Sequence, residues 1–90
     1  MHVRFIKNIQ FTKVLKADGR LREFNFRKSN GLAEGIFTVD VSDDRGNRII
    51  FRMQKSDEAW KIAEQQLPVW IKENETVLSR IIDEELGNPS

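Results

Sequence analysis

The sequence predicts an α+β domain: an antiparallel meander sheet of three or four strands, covered on one face by a C-terminal helix kinked or broken near Pro68. Three observations predict it. Apolar and polar residues alternate through most of residues 1–55, the period of strands with one buried face. Short stretches rich in Asp, Asn and Gly separate the alternating runs, as hairpin turns do. From Ser56 to Leu86 the apolar spacing changes to three and four, the period of a helix. The 90 residues make a single domain, with sheet over 1–55, a helical segment over 56–86 and a tail over 87–90.

In HVRFIKNIQFTKVLK the apolar positions are Val3, Phe5, Ile9, Phe11 and Leu15, interrupted by Lys7 and Lys13. This is one long bent strand or two strands joined near Lys7-Asn8. Asp18-Gly19 follows, the pair that most readily takes the positive φ values of a tight hairpin turn. The return strand LREFNFRK points Phe24 and Phe26 one way and Glu23, Asn25 and Arg27 the other. After the turn-forming stretch KSNGLAEG, the run IFTVDV puts Phe37, Val39 and Val41 inward. A polar turn over 42–47 leads into RIIFRMQ, with Ile49, Phe51 and Met53 inward.

Ser56 fits a helix N-cap, and Asp57 and Glu58 fit the positive end of a helix dipole. A helix from Asp57 to Leu86 would be about 45 Å long, whereas a strand of seven residues spans only about 23 Å. Pro68 removes one intrahelical hydrogen bond and offers a place to bend. Beyond it the apolar stripe covers about half the circumference, wider than the ~100° that packing on one sheet requires. That surplus predicts a second contact, with either the first helical piece or the same helix of a partner subunit, and Leu67, Trp70, Ile71, Val77, Leu78, Ile81 and Ile82 are the candidate interface of a homodimer. Another protein partner would fit the same stripe.

Chemistry has little to stand on. There is no cysteine and no tyrosine, and the one histidine, His2, lies at the terminus, so no catalytic residue, metal ligand set or cofactor is expected. Asp43-Asp44 lacks the ligand spacing of a calcium loop and reads as turn. Residues 31–35 run from strand into strand, unlike a phosphate-binding loop, which runs from strand into helix. No apolar run is long enough for a signal peptide or a membrane span, so the expected location is cytoplasmic.

The net charge of +1 divides unevenly: residues 1–55 carry twelve Lys/Arg against six Asp/Glu, and residues 56–90 three against eight. The halves can neutralise each other at their margins, or the basic half can face nucleic acid. Lys16, Arg27, Arg48 and Arg52 fall on the outward phase, with Lys28 and Lys55 at strand ends. These six are the candidate phosphate contacts. Glu23 and Asp40 share that face, and the strand aromatics fall on the opposite phase, away from any base that would stack. Four strands followed by a kinked helix is similar in layout to the single-strand-binding PC4-like and PUR-repeat modules, a likeness of element order without a shared motif. The expectation is a non-enzymatic module that self-associates through its C-terminal segment; the alternative is single-stranded nucleic-acid binding by the basic face.

Overall fold

The computed structural model describes residues 9–28, 35–63 and 66–87. It is an α+β fold with one antiparallel sheet in sequential order β1-β2-β3-β4-β5. The strands are β1 (Ile9–Ala17), β2 (Arg20–Lys28), β3 (Ile36–Ser42), β4 (Arg48–Ser56) and β5 (Ala59–Ile62), followed by α1 (Val69–Lys72) and α2 (Glu75–Gly87). The expected turns at Lys7-Asn8 and over 29–34 lie outside the described residues.

The turn chemistry sets the meander. Ala17 pairs with Arg20 across Asp18-Gly19, whose φ values are 55° and 75°. Glycine carries no Cβ to resist that region, and aspartate resists it less than most residues. Between β3 and β4 the Asp43 carboxylate accepts the backbone N–H groups of Arg45 (2.9 Å) and Asn47 (2.8 Å), closing the turn from inside.

The helix expected from Asp57 is corrected: among the described residues five strands form where three or four were predicted, because residues 59–62 are a strand. Ser56-Asp57-Glu58 is not an N-cap. Ser56 pairs with Ala59, and Asp57 takes φ 58° in the turn between them. Trp60 and Ile62 also obey a period of two, and that period prevails because it puts the indole on the core. Trp60 meets Phe37 edge to face with ring centroids 5.1 Å apart, a contact that contributes about 0.5–1.5 kcal/mol beyond area burial.

Pro68 is likewise not a kink. It stands at the N-cap of α1, where its missing N–H would be unpaired in any residue. The helical segment breaks instead at Glu73-Asn74, where the Asn74 side-chain amide donates to the Trp70 carbonyl (2.7 Å) and the Asn74 carbonyl accepts the Leu78 N–H (2.8 Å). The longest helix is therefore 13 residues, or about 20 Å, and it does not outrun nine-residue strands of about 30 Å. Among the described residues no helix is long and apolar enough to cross a membrane.

One face of the sheet carries the core. Phe24, Phe26, Phe37, Val39, Val41, Phe51, Met53 and Trp60 are buried there against Ile71, Leu78 and Ile82 of the helices. Phe11 stacks on Phe26 at 4.7 Å and turns its edge to Phe37 at 6.1 Å, so the rings run in contact from β1 to β5. Each fully buried large side chain contributes about 1.5–3 kcal/mol, which makes this layer the main source of stability.

Candidate functional site

The two edges of the sheet are treated differently. Ser56 and Ala59 close the β4–β5 hairpin as a hydrogen-bonded pair, so the N–H groups of Trp60 and Ile62 point away from β4. Both are met by α2: Trp60 N–H donates to Ser79 Oγ (2.9 Å) and Ile62 N–H to Glu75 Oε2 (2.8 Å). The match is metric, because four residues of helix advance about 6.0 Å and two residues of strand about 6.8 Å. Asp83, one turn further, accepts from Trp60 Nε1 (3.1 Å) and pairs with Lys55 Nζ (3.4 Å).

Among the described residues, the other edge has no neighbour. Ala17 and Arg20 form the closing pair of a two-residue hairpin, which directs the odd residues of β1 to β2 and the N–H and C=O groups of Gln10, Thr12, Val14 and Lys16 outward. Those four residues are exposed, and their outward backbone groups have no partner among the described residues. Lys13, on the core side of the same strand, reaches Glu85 of α2 at 3.8 Å. With the Lys55–Asp83 pair, this is where the basic sheet and the acidic helix neutralise each other.

At the hairpin end of the sheet Arg22 is buried on the core face. Its Nε–H donates to the Ala17 carbonyl (2.9 Å), Nη1 approaches the Ser42 carbonyl (3.4 Å) and Nη2 pairs with Asp44 (2.9 Å) and, more distantly, Asp18 (3.8 Å). The guanidinium lies 4.3 Å from the Trp70 ring centroid. One side chain thus ties the β1–β2 turn, the β3–β4 turn and α1 together. Asp43 stands beside this group, and its carboxyl is held below its ordinary value of 3.8, first by the Asn47 N–H and then by the Arg45 N–H.

The candidate phosphate contacts divide between the two faces. Lys16, Arg27, Arg48 and Arg52 are exposed on the open face, and Arg27 and Arg52 share a cross-strand row through Thr38. Lys28 and Lys55 fall on the core phase, and Lys55 is occupied by Asp83 and by the Trp60 face at 5.6 Å. The open face also carries Glu23 and a polar ladder in which Thr12 Oγ1 donates to Asn25 (2.7 Å) and Asn25 Nδ2 donates to Asp40 (2.9 Å). Every aromatic ring of the described strands lies on the opposite face.

The candidate helical interface divides too. Ile71, Leu78 and Ile82 are fully buried against the chain's own sheet, while Leu67, Trp70 and Ile81 are half-buried beside them. Val77 is the one of the seven that lies exposed. The overhang that predicted a second helical contact is absent, because the helix is half the expected length. Arg22 escaped the sequence reading, although it shares the parity of Phe24 and Phe26.

Compared with known protein families, with curated proteins and with solved structures, the chain matches none.

Proposed function

We propose that this chain is a small non-enzymatic interaction module that self-associates, and that its contact surface includes the outer edge of β1. The observation that carries the reading is the asymmetry of the sheet edges: Glu75 and Ser79 of α2 accept the outward N–H groups of β5, whereas the outward groups of the nine-residue β1 are unmet among the described residues. An edge of that length is a template for another strand. The helical stripe expected at the interface is largely spent on the core, so the contact moves from the helices to the sheet. Sedimentation velocity at micromolar concentration tests the reading. A dimer is expected, and a strict monomer overturns it.

A second reading, binding of single-stranded nucleic acid, is favoured by the common face of Lys16, Arg27, Arg48 and Arg52. Glu23 and Asp40 oppose it from the same face, and with the described rings on the other side it would rest on charge alone. Titration with single-stranded DNA and RNA at two salt concentrations decides: no binding at low salt removes this reading, and binding that Arg27→Glu with Arg48→Glu abolishes supports it.

A further inference from the structure

We infer that two copies join β1 to β1, antiparallel and symmetric about Lys13, to make one continuous ten-stranded sheet. The inference rests on the self-association reading and specifies its surface, partner and register.

The geometry of β1 selects this register. The outward backbone groups belong to even-numbered residues, so in an antiparallel pair of identical strands even must face even. A twofold axis through Lys13 achieves this with all nine described residues of β1 in overlap: Gln10 faces Lys16 of the second copy, Thr12 faces Val14, and Ile9 faces Ala17. Because parity is kept, each strand's core face continues the other's. There the half-buried Phe11 meets the half-buried Leu15 of the second copy, extending the apolar layer that, among the described residues, ends at β1. Moving the axis to Thr12 sets Lys13 against Phe11, and moving it to Val14 sets Lys13 against Leu15. Both alternatives also shorten the overlap of the described residues.

Lys13 is the apparent objection, since a lysine on an edge strand commonly deters pairing. Here it arrives with its counter-charge. Each Lys13 Nζ sits 3.8 Å from Glu85, so the twofold axis gathers two ammonium groups and two carboxylates with no net charge. The other edge cannot substitute, because α2 occupies the N–H groups of Trp60 and Ile62.

The chain contains no cysteine, which makes a single introduced thiol diagnostic. Lys13 would face its own symmetry mate in a non-hydrogen-bonded pair, with Cα atoms about 4.5 Å apart, a spacing a disulfide can bridge. Under mild oxidation Lys13→Cys is expected to run as a covalent dimer on a non-reducing gel, and Val77→Cys, on the exposed side of α2, as a monomer. Thr12→Pro removes an outward N–H that the β1–β2 ladder does not use. It is expected to weaken dimerisation at least tenfold in sedimentation while the far-ultraviolet circular dichroism is kept. A wild-type dimer that cross-links through position 77 and not 13 overturns the register and leaves self-association standing. A wild-type monomer overturns both. Should Thr12→Pro fail to fold, the paired cysteine variants still decide.

Discussion

Arg22→Met is the perturbation from which the structure asks most. Methionine keeps an unbranched stem under Trp70 and removes the guanidinium. The bond from Nε to the Ala17 carbonyl at 2.9 Å comes from a charged donor, and its loss costs about 1.5–3 kcal/mol. The Ser42 approach at 3.4 Å is long and adds little. Asp44 is 52% exposed, so its pair with Arg22 contributes at most ~1 kcal/mol after solvent screening. The cation–π contact with Trp70 at 4.3 Å adds ~0.5–2 kcal/mol. Against these losses stands relief from burying a charge, which leaves a net destabilisation of about 2–4 kcal/mol. For a domain of this size each kcal/mol lowers Tm by about 4–8 °C, so the melting point should fall by roughly 8–32 °C. Urea melts followed by circular dichroism measure the free energy, and a cycle with Trp70→Leu isolates the ring contact, with a coupling of ~1 kcal/mol expected. A loss below ~0.5 kcal/mol, or no coupling to Trp70, would refute the account of Arg22 as the tie between the two turns and α1.

Three further outcomes follow from the same geometry. Ser79→Ala leaves the Trp60 N–H without its acceptor and should cost about 1–2 kcal/mol in urea melts; combined with Glu75→Ala it frees the β5 edge, and light scattering should register aggregation that Glu75→Gln, which keeps an acceptor oxygen, does not produce. Ile82→Ala should destabilise by about 2–4 kcal/mol, whereas Val77→Ala should stay within ~0.5 kcal/mol; equal effects would contradict the division of the stripe into buried and exposed members. The lowered Asp43 value makes its contribution to stability fully present above about 3.8 and lost as pH falls through the lower folded value. Asp43→Asn keeps the turn's oxygen acceptor but cannot titrate, so the fall in stability as pH drops below about 3.8 should be shallower than in the wild type.

The first four strands were legible in the sequence because alternation and turn chemistry agree there. Asp18-Gly19 has few conformations other than the turn it makes, and Phe37, Val39 and Val41 leave little doubt about which side is inward. The fifth strand was not legible, because four residues satisfy either period. Ala59, Ala63, Leu67 and Trp70 continue a helical spacing, while Trp60 and Ile62 continue a strand. Only the position of Phe37, twenty-three residues back along the chain and beyond the reach of local propensity, decides between them. Ser56-Asp57-Glu58 misled for a related reason, since residues that cap helices also make tight turns. The open face was legible as a face, with Lys16, Arg27, Arg48 and Arg52 on it. The β1 edge, unpaired among the described residues, was not, because which backbone groups go unpaired depends on strand order. Arg22 was within reach of the parity argument that found Phe24 and Phe26, but its charge conceals the burial that only its partners make tolerable.

Because α2 stands in for a sixth strand, the amide protons of Trp60 and Ile62 report on the helix rather than on the sheet. Neither can be shielded until Ser79 and Glu75 have docked, and either becomes open to solvent when α2 lifts. Their hydrogen-exchange rates should therefore track those of Leu78 and Ile82 and be separate from those of β2 and β3, with β5 and α2 opening as one cooperative unit. The last quarter of the chain then closes over a sheet already formed, and the sheet's final strand gains its protection only at that step.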